Sequence, residues 1–463
     1  MLPFKSSIDP LLVLLIAVSS TSQATTLLEA VELGLENNIS LRASAKGLEE
    51  SENSIYVSRS KFLPSLTASA NTNWSRSHSN RTGAVDATSY SHSSGAALSL
   101  SQTLFNLGDI YKYQTAKLNF NTEELNHDDQ IQATIVEIAT SYFEYLKNNA
   151  QIRATEVELK SSNSREAQMR RNVELGNTAG SELYEVVSQK EEVSNRLRSL
   201  RKDRQVILND LAVLIQNPIT PSQDLYSRAE LDEFDQRQTR QLIEDSLRYN
   251  SSVLISKNTL DISRQSLKES GATFLPSLSL SGSYSYDYAH SFEPPENDLN
   301  ATGNSDSASV SLNLSIPITS GGSDYYDYKK NALAIERQEL LYQDTLISTR
   351  NDVNSLIMDV NDLAQSVDSF ERIIRANYAS YRGIQRAQQL GTRTITDLLA
   401  AESKLFNAVR DYQNTRYDYV INIINLEKSK GSLSLISMQN MMDLMTDMSS
   451  QSDEELIPMH LLE

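Results

Sequence analysis

The pentapeptide Phe62-Leu63-Pro64-Ser65-Leu66 returns unchanged as Phe274-Leu275-Pro276-Ser277-Leu278, 212 positions further along a chain of 463 residues. A repeat of nearly half the chain constrains the fold strongly: what one half builds, the other should build too. Three more landmarks keep the same order, one upstream of the pentapeptide and two downstream. Leu28-Glu29-Ala30 with Asn38 corresponds to Ile243 with Asn250. "LSLSQTLFNLGD" (98–109) corresponds to "VSLNLSIPITSGGSD" (310–324), and "ELGNTAGSEL" (174–183) to "QLGTRTITDL" (389–398). The landmarks differ from one another in composition, so low complexity does not explain the match.

Each half reads as the same series of elements. A helical segment covers about 26–61, and again about 238–272. Leu63-Pro64 and Leu275-Pro276 should stop it, because the residue before a proline is pushed out of the α region. Alternation with period two follows. Leu66, Ala68, Ala70, Thr72 and Trp74 share one face, as do Leu278, Leu280, Gly282, Tyr284, Tyr286 and Tyr288, with Ser, Thr and Asn between them. After a polar loop the alternation resumes at Ala96–Leu104 and Ala308–Ile316. The hairpins are placed at about 64–105 and 276–318, with runs of about 9–12 residues, the length of a tilted strand crossing a bilayer.

A long helix comes next in each half, at about 109–175 and 323–389. Glycine (15) and proline (10) are scarce throughout the chain, and neither stretch contains proline. Apolar residues step by sevens: Ile131, Ile138, Tyr145, Ile152 and Leu159, then Leu346, Val353, Val360, Val367, Ile374 and Tyr381. Such rows predict coiled-coil seams with the other helix faces wet. A glycine (Gly176, Gly391) ends each long helix, and return helices run over about 181–215 and 395–430. Pro218 and Pro221 mark the passage between halves. The repeats are thus bounded as 25–235 and 236–437, and an acidic, disordered tail is expected over 438–463.

Lys5, the apolar run 11–18 and Ser22-Gln23-Ala24 form an export signal over residues 1–24. No later run of 18 apolar residues follows. With four strands of bilayer length and no apolar core for them to lie on, the expected fold class is an α+β membrane protein of the outer-membrane β-barrel kind, the alternative being a soluble half-buried hairpin. Four strands close around nothing, and an open edge in lipid is not tolerated. The barrel must therefore be shared between copies. Eight strands leave no aqueous bore, whereas twelve do, and the polar strand faces call for a wet lumen, so a trimer is expected.

In order and spacing the chain resembles the TolC family of outer-membrane channels, from about residue 26 to 437. The most specific matches are "FLPSL", "LSIPITSGG", "LGTRTITDLLAAESKLFNA" and "RYDYVINIINLEKSKGSL". The resemblance implies a homotrimer with a twelve-stranded barrel set in outer-membrane lipid, continued by a long α-helical coiled-coil tunnel through the periplasm. It implies an exit duct for drugs, toxins or secreted proteins in a tripartite efflux pump or a type I secretion system. The partners would be a periplasmic adaptor and an inner-membrane pump of RND, ABC or MFS type. The alternative is an exported coiled-coil adhesin or stalk without a lumen.

No enzyme site is legible. The chain has no cysteine, its five histidines (78, 92, 127, 290, 460) are scattered, and it lacks HExxH, GxSxG and phosphate-cradling motifs. No metal, cofactor or catalytic residue is expected. A net charge of −18 argues against nucleic acid. Charges instead gather at the two Leu-Gly turns at the far end of the long helices. Opposite charges there can hold neighbouring helices reversibly, each exposed pair contributing about 0–1 kcal/mol. By the resemblance, Glu182 and Arg393 form a latch at the periplasmic entrance, Ser181 and Arg416 a second link, and Asp397 the constriction. The turns Leu175-Gly176-Asn177 and Leu390-Gly391-Thr392 would dock the adaptor. Two departures from the family pattern are Ala400, where a second constriction aspartate is expected, and Gln388, where a latch tyrosine is expected.

Overall fold

A computed structural model describes residues 23–79, 87–225, 233–291, 302–441 and 445–447. Most of the expected export signal (1–22), the two strand-connecting loops and residues 448–463, with His460, lie outside the described residues. The first half runs through β1 (Gln23–Thr25), α1 (Leu27–Asn37), α2 (Ile39–Ser60), β2 (Ser65–Ser79), β3 (Ala87–Phe105), α3 (Leu107–Glu174), α4 (Gly180–Ile215), β4 (Ile219–Pro221) and β5 (Gln223–Leu225). The second runs through α5 (Gln236–Tyr249), α6 (Ser251–Ala272), β6 (Ser277–Ser291), β7 (Thr302–Ser315), α7 (Ser323–Gln389), α8 (Ile395–Ser429), α9 (Leu435–Met441) and β8 (Met445–Asp447).

The duplication holds at the level of single hydrogen bonds. Both copies of the pentapeptide make the same tight exit from a helix: Leu63 N–H donates to Ser60 C=O and Leu275 N–H to Ala272 C=O, each at 3.0 Å. The proline then forces the extended backbone that starts the strand. The first helical segment of each half is not one helix but two, broken at equivalent asparagines. Asn38 and Asn250 each leave the helical backbone and cap the next helix with their side-chain oxygens. Their amide groups reach across to the ends of the return helices, Asn38 Nδ2 to Leu214 C=O at 3.0 Å and Asn250 Nδ2 to Ser429 C=O at 2.9 Å. Beside those carbonyls the chain turns left-handed, at Gln216 (φ 57°) and Gly431 (φ 73°).

Four strands form one antiparallel sheet in the order β2-β3-β6-β7. Across it Leu66 pairs with Leu100, Leu98 with Tyr284, and Leu280 with Leu312, all on one face. The opposite face is built from serine. Ser65 pairs with Ser101 and Ser281 with Ser311, and hydroxyls bridge neighbouring strands at Ser75–Ser91 (2.6 Å), Ser283–Ser309 (2.9 Å) and Ser285–Ser307 (3.0 Å). The strands have 14 to 19 residues, longer than the expected 9–12. The excess lies past the apolar band, where Thr72, His78, His92 and Asn304 take over the face. No described helix is long and apolar enough to cross a membrane.

The helices repeat the order of the sheet: α2 packs on α3, α3 on α6, and α6 on α7. Beyond them α3 pairs with α4, and α7 with α8, as antiparallel hairpins. The heptad rows are the seams: Ile138, Tyr145, Ile152, Val353, Val360, Val367 and Ile374 are all buried. Wet faces are not the whole account, however. Where the halves join, a true core forms from Leu27, Val31, Ile135, Tyr142, Phe143, Leu211, Ile215, Tyr417, Val420 and Ile424. Short strand pairs brace it, β1 with β4 and β5 with β8. The expected tail boundary is corrected here. Residue 438 falls inside α9, Met438 is fully buried in this core, and β8 pairs with β5.

Candidate channel gate

The far ends of the two hairpins are built alike. After α3, Gly176 N–H donates to Val173 C=O and Asn177 N–H to Asn172 C=O. After α7, Gly391 N–H donates to Gln388 C=O and Thr392 N–H to Ala387 C=O. Both turns require positive φ, 74° at Gly176 and 76° at Gly391, which glycine adopts without a Cβ clash. Each turn lifts a leucine into solvent, Leu175 at 73% exposed and Leu390 at 81%.

The next helices start differently. The α4 N-cap, Ala179, has no side-chain hydrogen bond. In α8, Thr394 and Asp397 form a capping box: Asp397 N–H donates to Thr394 Oγ1, and Thr394 N–H to Asp397 Oδ2, both at 3.1 Å. Those bonds, the Thr394 backbone N–H above all, hold the Asp397 carboxyl below its usual range, with Arg393 adding to the effect. Arg393 Nη1 lies 3.9 Å from Asp397 Oδ2. Thr396 Oγ1 donates to Glu185 Oε2 at 2.6 Å and ties the two hairpins together at their tips.

Some expected partnerships are not made within the protomer. The carboxylate within 4 Å of Arg393 is Asp397, in the first turn of the helix that follows it, rather than Glu182. Ser181 and Arg416 are not brought together. Ser181 opens α4 at the tip, whereas Arg416 lies 21 residues into α8, about 31 Å away at 1.5 Å per residue. Arg416 is buried there, over the Tyr412 ring and bonded to Gln413. Gln388 lines a small polar void beside α3, and Ala400 is exposed.

Sequence reasoning missed a row of polar cross-links on the inner seam between α3 and α8. Lys147 pairs with Asp418 at 2.7 Å and Gln151 bonds Asn414 at 2.6 Å. Glu158, 2% exposed, takes Arg410 of α8 at 2.7 Å and Arg196 of α4 at 3.2 Å. Arg165 meets Glu402 at 2.7 Å, and Ser161 Oγ donates to the other oxygen of Glu402 at 2.5 Å. Burial pushes the Glu402 carboxyl up, against the opposing pull of Arg165. The available signal was a pair of charges, Glu402 and Arg410, set among the buried apolar positions of α8. Further toward the core, Asp224 accepts from Tyr417 Oη (2.5 Å) and Arg153 Nη2 (2.9 Å). Among the described residues, no group of three or more His, Asp or Glu is placed to hold a metal.

Comparison with known proteins gives this geometry a family. The family described as outer membrane efflux protein matches residues 30–216 and again 242–432, one match to each repeat. The chain belongs to that family. TolC of Vibrio cholerae is 23% identical over 429 residues, covering 90% of this chain and 93% of that protein. The proteases secretion protein PrtF of Dickeya chrysanthemi is also 23% identical, covering 94% and 93%. Among solved structures, the Campylobacter jejuni CmeC outer membrane channel superposes with a TM-score of 0.73 at 20% identity, over 97% of this chain and 98% of that one. This family member is an outer-membrane exit duct for efflux or type I secretion, with its helical part in the periplasm, and it is not an enzyme. The adhesin or stalk reading is not favoured.

Proposed function

We propose that three copies close a twelve-stranded barrel and that their helical hairpins form a periplasmic tunnel opened at the tips by an adaptor and an inner-membrane pump. The observation that carries this reading is the pair of unfinished edges. The sheet ends at β2 and β7 with no partner strand among the described residues, and its apolar face is that of a membrane wall. Unpaired N–H and C=O groups at that depth cost several kcal/mol each. The helical layer ends in the same way. α2 exposes Tyr56 and Val57, and α7 exposes Leu333, Leu340 and Ile347, again spaced by sevens. A head-to-tail contact of β7 and α7 with β2 and α2 of the next copy covers both edges and closes as a ring.

At the tips, the exposed leucines of Leu175-Gly176-Asn177 and Leu390-Gly391-Thr392 offer an apolar handle to an adaptor. Arg393, 59% exposed and only loosely engaged by Asp397, is free to reach Glu182 of a neighbouring copy. Asp397 would contribute one carboxylate per copy to the mouth. The pump would be of RND, ABC or MFS type. The test has two parts. Mass measurement in detergent should give a trimer. In planar bilayers, Arg393→Ser and Glu182→Ala should each raise single-channel conductance, with little further gain in the double variant. A stable monomer that retains full strand content would refute the assembly. Wild-type conductance in Arg393→Ser would refute the latch.

A further inference from the structure

We infer that Arg76 of one copy and Asp306 of the next form an ion pair across the β7–β2 seam and fix the register in which the chains close into a barrel. This rests on the proposed threefold closure and adds the residues that align it.

The apolar face of the sheet carries almost no charge. Among the described residues that share this face with Leu66, Leu98, Leu280 and Leu312 are His78, His92 and His290, one arginine and one aspartate, and no lysine or glutamate. The arginine, Arg76, is on β2 and the aspartate, Asp306, on β7, the two strands that end the sheet. Both are exposed. The protomer keeps them apart. Asp306 stands in one cross-strand row with Tyr286, Ala96 and Ala70, so β6 and β3 lie between it and β2, and Arg76 is six residues further along β2 than that row. Among the described residues Asp306 has no ion pair, while Arg76 lies over the ring of Tyr90 opposite, 5.8 Å from its centre. A charge on the lipid side of a barrel wall is costly in proportion to its depth. Opposite charges on the two open edges answer each other when one copy meets the next.

The duplication supplies the register. Inside the protomer the halves meet at the β3–β6 seam, and a ring repeats that meeting at the β7–β2 seam, because β7 corresponds to β3 and β2 to β6. At the inner seam Ser94 faces Tyr288. Moving each by the 212 positions that relate the two pentapeptides, and Leu98 to Val310, turns Ser94 into Asp306 and Tyr288 into Arg76. The hairpins themselves differ by two residues, since Ser65 faces Ser101 whereas Ser277 faces Ser315. Carried into the seam, that difference would set Asp306 against His78, with Arg76 as its diagonal neighbour.

Barrel geometry separates these registers. The row through Asp306 leaves β2 at Ala70 and reaches the next β2 at Arg76, a shift of six residues per copy. Over three copies, such a shift at about 3.3 Å per residue, set against twelve strand spacings of about 4.8 Å, gives a strand tilt of about 45°. Membrane barrels tilt by about 35–45°. The His78 register needs a shift of eight and a tilt of about 54°. The shift is also even, as it must be to keep the apolar residues on one face.

The chain has no cysteine, so the register can be read by cross-linking. Directly opposed residues have Cα atoms about 4.5–5.5 Å apart, within reach of a disulfide. Arg76→Cys with Asp306→Cys, oxidised in isolated outer membranes, should give covalent dimers and trimers on denaturing gels. The yield should exceed that of Thr72→Cys with Asp306→Cys by at least about tenfold, because the latter pair is out of register. Asp306→Arg sets two guanidinium groups on the seam and should lower the yield of heat-resistant trimer by about tenfold. Arg76→Asp with Asp306→Arg should restore it, which guards against a single variant that merely folds badly. An unchanged trimer yield in Asp306→Arg, no rescue by the exchange, or cross-linking through position 72 as strong as through position 76 would each overturn the inference. Mass measurement of the wild-type protein keeps the parent reading distinct. A monomer would refute threefold closure itself, whereas a trimer that does not cross-link between positions 76 and 306 would refute the register alone.

Discussion

The matched turns at Gln216 and Gly431 allow the duplication to be tested quantitatively. Both residues are left-handed, and both follow a return helix whose last carbonyls meet an asparagine of the same half. Only Gly431 is crowded. A Cβ there would lie 2.2 Å from the Tyr249 carbonyl oxygen, 2.7 Å from its carbon and 3.2 Å from the Asn250 nitrogen. All three are backbone atoms and cannot swing aside. Gly431→Ala should therefore cost about 1–2 kcal/mol for left-handed geometry and a similar amount again for displacing the Tyr249–Asn250 joint, roughly 3 kcal/mol together. At Gly391 a Cβ would meet nothing within 4 Å, so Gly391→Ala should show the geometric cost alone. Gln216→Gly relieves the left-handed strain but adds backbone freedom to the unfolded chain, and the two nearly cancel. Thermal unfolding of the detergent-solubilised protein, followed by circular dichroism at the helix band, should rank Gly431→Ala lowest. Its Tm should fall by about 3 °C in a chain of this length. The reasoning fails if Gly431→Ala is no more costly than Gly391→Ala, or if Gln216→Gly is as damaging as either.

Three other outcomes are expected. The Asp397 cap of α8 should be complete above the ordinary aspartate value of 3.8 and should be lost as pH falls below it through the depressed folded value, which amide exchange at the tip would register. Asp287 is the one charged side chain on the serine face of the sheet among the described residues, so Asp287→Asn should weaken any preference for cations measured by reversal potential. Replacing Pro64 and Pro276 together with Ala should let helix run into the strands and lower the yield of heat-resistant trimer; an unchanged yield would mean that the turn at Ser60–Leu63 sets the boundary unaided.

Long-range order was legible where a period was long or a breaker strong. The proline exits, the Leu-Gly turns and the heptad rows all sit where the sequence places them, because each depends on local backbone rules applied twice. The breaks at Asn38 and Asn250 were not read, since an asparagine inside a helical pattern stops it only when its amide finds a distant partner, here Leu214 or Ser429. The core around Tyr142 and Tyr417 was also missed. Its members are sparse within each helix and become a core only where α1, α3, α4 and α8 converge on the short strands. Glu182, Arg393 and Asp397 sit at the hairpin tips, beside the Leu-Gly turns. Arg393 precedes the Thr394 cap of α8 and meets Asp397 in the first turn of that helix, a local contact set by the capping geometry. The charges at 158, 165, 402 and 410 escaped because burial of an ion pair depends on tertiary neighbours that periodicity does not show.

The near-equal lengths of the two halves carry a final consequence. α3 and α7 have 68 and 67 residues, α4 and α8 have 36 and 35, and α2 and α6 have 22 each. Every residue added to a helix moves its far end by about 1.5 Å and rotates it by about 100°. A single-residue deletion in the middle of α7 would therefore turn Leu390 and Arg393 away from their neighbours, leave the rim uneven, and throw every later heptad contact out of step with α8. Point substitutions can accumulate along these helices as long as the seams remain apolar. Insertions and deletions cannot, unless they come as whole heptads matched on the returning helix and in the sister repeat. The chain is thus free to diverge in composition while its ruler length stays fixed.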